Sequence, residues 1–209
     1  MSKRGRPREF DRDEAVTTAM HLFWEHGFES TSLAQLKAAI GGGISAPSFY
    51  AAFGSKEALY EEALERYLQL YGHVTRSLWD PAIAPRDAVS LALLRSARMH
   101  GEAGHPKGCM VALGSLDAGV SRSDAIAQRM RDVRSRTRAG LRACVERGIA
   151  SGELRASTHP TALATALDGF FLGLALLARD GVRPPTLEKA VAAAMGIWDA
   201  AVDRPPAGD

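Results

Sequence analysis

The composition and the spacing of apolar residues predict an all-α protein. Alanine and leucine dominate the sequence, whereas valine, isoleucine and threonine are sparse, a balance that favours helices over strands. Apolar side chains recur three and four residues apart, and segments rich in Gly and Pro separate these runs. With 209 residues, 46% of them hydrophobic, the chain is long enough to bury a substantial core.

The first segment, residues 1–9, is predicted to be a flexible basic arm. It contains Lys3, Arg4, Arg6 and Arg8, with no acidic residue among the first eight. The formal net charge of the whole chain is only +2, so any attraction to phosphate must be local rather than general.

The first two helices are predicted from their ends. Asp11 is a candidate N-cap for a helix that ends at Gly27. Ser30 to Ser32 supply candidate N-caps for a second helix. The apolar face of this second helix consists of Leu33, Leu36 and Ile40. Three consecutive glycines, Gly41 to Gly43, are expected to end it.

A third helix is predicted to begin after Ser45. Pro47 lies in its first turn, where the missing N–H costs nothing. Phe49 and Phe53, four residues apart, are expected to anchor one face inward. Residues 10–56 therefore predict a three-helix head of helix-turn-helix type, a layout that places its final helix in the major groove of DNA.

Residues 57–203 are predicted to form a larger C-terminal helical bundle, followed by a tail at 204–209. After a fourth helix that begins at Ser55, the predicted helices span 86–100, 109–118, 124–151, 160–179 and 186–202. The helix 160–179 is barely long enough to cross a membrane, and Asp168 near its centre would cost about 2.5–3.5 kcal/mol there. We therefore expect a buried interface helix and a cytoplasmic protein without membrane contact, because the basic amino terminus also lacks the apolar core of a signal peptide.

Residues of the head meet the needs of a DNA-reading helix, namely an inward anchor, small or polar residues at its N-terminus, and phosphate contacts on either side. The predicted DNA-binding residues are Arg4, Arg6, Arg8, Thr31, Ser32, Ser45, Ala46, Pro47, Ser48, Tyr50 and Lys56. Tyr50 and Lys56 are expected at phosphates, Lys56 beside free helical N–H groups, and the arm in the minor groove. The plainer alternatives are a core tyrosine, a solvated lysine and a solubilising tail.

The run from Ser45 to Leu59 has the pattern S-x-x-S-F-Y-x-x-F-x-S-K-E-x-L. On these residues, and over about residues 10–65, the chain resembles the TetR family of bacterial transcriptional regulators. The resemblance implies a homodimer that binds a palindromic double-stranded DNA operator and is released by a small molecule. This chain departs from the family pattern in having three glycines where one is usual, and alanine at positions 51 and 52. We therefore expect readout through thymine methyl contact, serine hydrogen bonds and DNA shape.

The bundle is expected to hold an effector cavity and a dimer interface. The predicted cavity residues are Trp79, Met99, His100, Cys109, Met110, Leu113, Phe170 and Phe171, a mostly apolar set with a few polar groups. The predicted dimer residues are Leu163, Leu167, Phe170, Leu174, Val191, Met195 and Trp198. For both sets the alternative is an ordinary intrachain core.

No cofactor or metal site is predicted. His100, His105 and Cys109 are close in sequence, but the segment between them is rich in glycine and no carboxylate joins them convincingly. Cys109 and Cys144 do not make a disulfide framework. A redox-responsive regulator and a helical small-molecule enzyme are the alternatives, although no nucleophile–base or paired-carboxylate spacing supports an enzyme.

Overall fold

A computed structural model describes residues 10–117 and 124–202, without the side chains at 115–117 and 124. The described residues form ten α-helices and two short 3-10 segments, and no strand, so the all-α prediction is confirmed. The helices are α1 (Arg12–His26), α2 (Leu33–Ala39), α3 (Ala46–Phe53), α4 (Lys56–Tyr71), α5 (Pro85–Met99), α6 (Met110–Asp117), α7 (Asp124–Ala150), α8 (Pro160–Arg179), α9 (Pro184–Ala194) and α10 (Gly196–Asp199). The 3-10 segments are Ile40–Gly42 and Gly72–Trp79.

Side-chain caps fix where the helices of the head begin. The Asp11 carboxylate accepts from the backbone N–H groups of Asp13 and Glu14, at 2.8 and 3.1 Å. Ser32 and Gln35 form a reciprocal capping box at the start of α2. Each cap satisfies backbone donors that the first turn of a helix leaves free.

Two hydrophobic cores hold the molecule together. The first joins α1 to α4 around Phe23, Trp24 and Phe49, and it extends to residues such as Met99 and Met130 of the bundle. The second lies among α5 and α7–α10. The buried side chains of α4 belong to the first core, so α4 supports the head. The division of the chain at residues 56 and 57 stays a prediction.

Helix α8 is long and apolar enough to cross a membrane by length and composition alone. In the structure it packs into the second core through residues such as Leu167 and Leu174. Its Asp168 is also buried and accepts from Nε of Arg138 at 2.7 Å. A core helix of a globular protein has this combination of a buried apolar face and a paired polar group.

Candidate DNA-binding site and ligand cavity

The final helix of the head, α3, is anchored by two buried rings. Phe49 and Phe53 are almost completely buried, with ring centroids 5.4 Å apart. Ser45 caps the helix by accepting from the Ser48 N–H at 3.2 Å, and the two hydroxyl oxygens lie 2.9 Å apart. The predicted anchor and cap are therefore confirmed.

The opposite face of α3 is open to solvent. Tyr50 is 51% exposed, which makes the interpretation as a core tyrosine wrong. Ser45 and Pro47 are exposed, and Ala46 and Ser48 are half-buried at the same end of the helix. This face carries hydroxyls and small apolar groups but no charge, so it suits contact with base edges and thymine methyl groups better than general attraction to phosphate.

The turn before α3 uses all three of its glycines. Gly41, Gly42 and Gly43 have φ values of +58°, +72° and +108°, a range that glycine adopts without a Cβ penalty. A Cβ at Gly41 would also lie 2.7 Å from Cβ of Phe10. The Ile44 N–H then donates to the Lys37 carbonyl at 2.9 Å and returns the chain to α2. The effect of this turn on the register of α3 along DNA stays a prediction.

The predicted phosphate contacts at the start of α2 need one correction. Thr31 is fully buried, and its hydroxyl donates to the Gly27 carbonyl at 2.7 Å. It therefore ties α2 to the end of α1 and cannot reach DNA. Ser32 is exposed, but its hydroxyl already participates in the capping box with Gln35.

Lys56 begins α4 with its ammonium 4.2 Å from the centroid of the Phe28 ring. Burial lowers the pKa of Lys56, and Glu29 and Glu57 oppose that shift. The side chain is therefore held against the head rather than freely solvated. The predicted arm residues Arg4, Arg6 and Arg8 lie outside the described residues.

A cavity of about 70 Å³ lies where α4, α5, α6, α7 and α8 meet. Four of the predicted residues line it: Met99, His100, Cys109 and Phe171. The other polar groups of the cavity were not predicted from the sequence: Tyr67, Tyr71, Thr75, Ser96, Arg134, Thr137 and Asp168. Of these, only Asp168 had a visible signal, a lone carboxylate in an apolar helix.

The other four predicted cavity residues do not line this cavity. Trp79 is largely exposed and its ring lies beside Arg136 of α7. Met110 is packed in the first core, and Phe170 packs against the second. Leu113 borders a separate cleft beside the end of α1.

The polar groups of the cavity are held in low-dielectric surroundings. The Tyr67 hydroxyl donates to Sγ of Cys109 at 3.1 Å. Burial raises the pKa of the Cys109 thiol, although the Tyr67 hydrogen bond opposes this shift. Burial, with a smaller contribution from His105, lowers the pKa of His100 to about 4. At neutral pH the cavity therefore holds a neutral imidazole and a protonated thiol.

His105 does not join His100 and Cys109 as a ligand. Its ring stacks on Trp24 with centroids 4.6 Å apart, beside the end of α1. Over residues 10–117 and 124–202, no group of three or more His, Cys, Asp and Glu side chains could hold a metal ion.

Known proteins match both parts of this structure. Residues 15–63 match the model of the bacterial regulatory proteins of the tetR family, and residues 91–194 match the tetracyclin repressor-like C-terminal domain. The HTH-type transcriptional repressor ComR of Escherichia coli strain K12 is 30% identical over 196 residues, which cover 93% of this chain and 92% of ComR. The chain belongs to the TetR family of transcriptional regulators.

A solved structure of the TetR-family regulator CifR is similar over nearly the whole molecule. This cysteine mutant, in complex with a 26-base-pair double-strand operator, superposes with a TM-score of 0.80 and 37% identity, over 92% of this chain and 100% of that one. The E. coli repressor BdcR is 33% identical over 107 residues, 51% of this chain and 53% of BdcR. The head of this TetR-family protein therefore has the architecture of a DNA-binding unit.

The dimer face predicted for this TetR-family chain requires a correction. Six of its residues are buried in the chain's own second core: Leu163, Leu167, Leu174, Val191, Met195 and Trp198. Leu163 is 8% exposed and the others 2% or less, so these side chains have almost no area left to bury against a partner. Phe170, the seventh, is partly exposed.

A second apolar face of α8 and α10 lies toward solvent instead. Its exposed residues are Ala162, Ala166, Gly169, Leu176, Leu177 and Ile197. A Cβ added at Gly169 would meet no atom within 4 Å, so the backbone of α8 is accessible there. The small residues that the sequence places at helical spacing thus lie on the outside of the subunit.

One contact ties the bundle of the TetR-family chain to its head. Arg179, at the end of α8, donates to the carbonyls of Trp24 and Glu25 in the last turn of α1. The same helix carries Asp168 on the cavity wall. On its other side, Trp24 contacts His105 from the loop between α5 and α6. Helix α1 therefore meets two elements that also border the cavity.

Proposed function

We propose that this regulator is a repressor that binds a palindromic operator as a homodimer in the cytoplasm and is released by a small molecule. The observation that carries the proposal is the exposed, uncharged N-terminal face of α3 on its Phe49 and Phe53 anchor. The operator complex of CifR, which has a similar fold and sequence, supports the same use of this face. Ser45, Ala46, Pro47 and Ser48 would meet the bases.

Phosphate contacts would complete the head. The exposed Tyr50 hydroxyl suits a hydrogen bond to phosphate, and Ser32, at the N-terminus of α2, lies where backbone N–H groups favour an anion. Lys56 would approach a phosphate from its position over the Phe28 ring. The arm residues Arg4, Arg6 and Arg8 would enter the adjacent minor groove.

Two subunits would associate through the exposed apolar faces of α8 and α10. Leu176, Leu177 and Ile197 are large apolar side chains exposed on one subunit, and small residues beside them would let helices approach closely. A two-fold axis through these faces would use the same surface of both subunits and would place two heads on the half-sites of a palindrome.

The two alternatives have less support. The half-buried Cys109, with its raised pKa, lacks the thiolate character that a redox-sensing cysteine requires. A helical enzyme would need a nucleophile and base, or paired carboxylates, at the cavity. Ser96 Oγ and Nε2 of His100 lie 3.3 Å apart at the cavity, but no described residue bonds Nδ1 of His100 to orient the imidazole, and the Asp168 carboxylate is paired with Arg138.

A gel-shift experiment tests DNA binding. The protein is titrated into DNA from its own upstream region, with and without excess random DNA. We expect saturable binding that resists the competitor. Tyr50→Phe should weaken it about fivefold, the effect of one lost hydrogen bond, and leave the melting temperature unchanged because the hydroxyl is exposed. Binding that random DNA abolishes, or full affinity in Tyr50→Phe, would contradict the proposed contacts.

A further inference from the structure

Two polar atoms on the cavity wall have no partner. Asp168 is only 3% exposed and His100 only 1%. Among the described residues, none provides a hydrogen bond to Oδ1 of Asp168 or Nδ1 of His100. Such atoms are rare in folded proteins, because each one left without a partner costs about 1–3 kcal/mol. Asp168 on the cavity wall therefore has an acceptor that a bound molecule can satisfy once the neighbouring side chains adjust.

The charge of this acceptor is already balanced by the protein. The other carboxylate oxygen, Oδ2, accepts from Nε of Arg138 at 2.7 Å. A second guanidinium, that of Arg134, lines the cavity and donates to the Val111 carbonyl at 3.1 Å. His100, whose pKa lies near 4, adds no charge at neutral pH. A cationic ligand would thus approach two guanidiniums for one carboxylate, whereas an anionic group would be repelled by the unpartnered Oδ1. A neutral donor avoids both costs.

The rest of the wall is mostly apolar and aromatic, with the hydroxyls of Thr75, Ser96 and Thr137 among these groups. Tyr67, Tyr71, Met99 and Phe171 are among its residues. A dry cavity of about 150 Å³ in another protein accommodates benzene, so the volume of about 70 Å³ here favours a compact ligand and adjustment of side chains such as the flexible Met99.

We propose that the effector is a small neutral molecule whose hydroxyl group, on an apolar or aromatic body, donates to Oδ1 of Asp168. This inference rests on the proposed ligand-responsive function. The inference goes beyond that function because it assigns a class of ligand and the residue that selects this class. Arg138 acts as a positioning residue, since its hydrogen bond to Oδ2 fixes the carboxylate and leaves Oδ1 as the oxygen without a partner.

Three probes of similar size distinguish how a hydrogen-bond donor, a positive charge and the ring shape each contribute to affinity. Phenol has a neutral donor, toluene has the same shape without one, and benzylamine is a cation. Binding is measured by titration calorimetry, and its location by the shift of the ¹³C-methyl resonance of Met99. Met195, which belongs to the second core and does not line the cavity, is the internal control. We expect phenol to bind about tenfold or more tightly than toluene, and benzylamine to bind more weakly than phenol.

The variant Asp168→Asn tests the role of the carboxylate. Arg138 keeps the amide oxygen as its acceptor, so the amide turns an N–H toward the cavity. The phenol hydroxyl can then only accept from a neutral amide instead of donating to a carboxylate, so the preference for phenol over toluene should fall severalfold. Asp180→Asn, an exposed carboxylate just beyond α8, is the matched control and should keep it. If Asp168→Asn does not fold, the comparison of phenol with toluene on the unaltered protein still decides.

The outcomes separate this inference from the proposed function. Toluene binding as tightly as phenol, or an unshifted Met99 resonance, would overturn the inference even if the protein binds its operator. Conversely, selective phenol binding that Asp168→Asn weakens and Asp180→Asn does not would support the inference even if the gel shift showed no operator binding.

Discussion

The buried imidazole of His100 couples the stability of this regulator to pH. Burial first, and His105 second, lower the pKa of His100 from 6.5 to about 4. Because the folded-state pKa lies below the unfolded-state value, protonation favours the unfolded chain. The contribution of the neutral His100 imidazole to the free energy of unfolding is fully present above about pH 6.5 and is lost as the pH falls toward 4. A shift of this size corresponds to a loss on the order of 3 kcal/mol.

We therefore expect His100→Gln to flatten the fall in unfolding free energy between about pH 6.5 and pH 4.5. Denaturant titrations at a series of pH values measure this dependence, and the difference between variants removes the contributions of other titrating groups. His73→Gln, at an exposed position, is the control and should retain the slope of the unaltered protein. An unchanged slope in His100→Gln would place the responsible group elsewhere.

Single residues differed in how far their roles could be predicted. Phe49 and Phe53 could be placed, because two aromatic residues four apart on a short helix leave little choice of inward face. Thr31 could not be told from its neighbour Ser32 as the residue that faces solvent, since only packing against Gly27 decides between them. The role of Asp168 depends on Arg138, thirty positions away in sequence, and spacing does not reveal such a pairing.

At the scale of elements, the turn between α2 and α3 sets the orientation of the DNA-reading helix. Gly42 and Gly43 both have positive φ, and a Cβ at either would meet no atom within 4 Å. The difference between them is conformational. Gly43, with φ +108° and ψ +117°, lies in a region that residues with a Cβ essentially avoid, whereas Gly42, with φ +72°, is closer to the left-handed helical region.

We predict that Gly43→Ala destabilises the protein by about 1–3 kcal/mol and Gly42→Ala by about 1 kcal/mol. Thermal or denaturant unfolding measures both. If the turn orients α3, Gly43→Ala should also weaken operator binding under conditions where the variant remains folded. Equal effects of the two substitutions would mean that the turn relaxes and does not constrain α3.

Helix ends were more predictable than helix faces. The five helices predicted for the bundle are observed with small shifts of their ends, since Gly, Pro and capping residues mark them. The final one divides into α9 and α10 at Met195. The inward face of α8 was assigned wrongly as the dimer face, because both of its sides are apolar and periodicity alone cannot say which side packs inside the subunit. The 3-10 segment Gly72–Trp79 had no distinct signal either.

For the whole molecule, the exposed face of α8 and α10 makes a prediction about assembly. Leu177→Glu would place a charge where two apolar surfaces meet, so we expect a monomer by light scattering and operator binding weakened at least about 100-fold through the loss of the second head. Leu177 is 40% exposed in the subunit, so the Leu177→Glu variant should fold normally, and its circular dichroism spectrum should match that of the unaltered protein. Leu70→Glu, at an equally accessible leucine of α4 (49% exposed), is the matched control. A dimeric Leu177→Glu protein would contradict this interface.

Communication between cavity and head is predicted to pass through the end of α8. Arg179 bonds the last carbonyls of α1, whereas Asp168 and Phe171 of the same helix line the cavity, so a ligand that displaces α8 would also displace α1. Arg179→Met should leave operator affinity in the absence of ligand within about twofold. It should reduce the factor by which the effector, with phenol as probe, weakens that affinity, because coupling between sites requires an element that both of them bias.

Faster amide hydrogen exchange at residues 23–27 would report the lost contact independently of any ligand. Arg183→Met, an exposed arginine beyond the same helix, is the control. Equal release by phenol in Arg179→Met and Arg183→Met would mean that the signal reaches α1 by another route, such as the stack of His105 on Trp24.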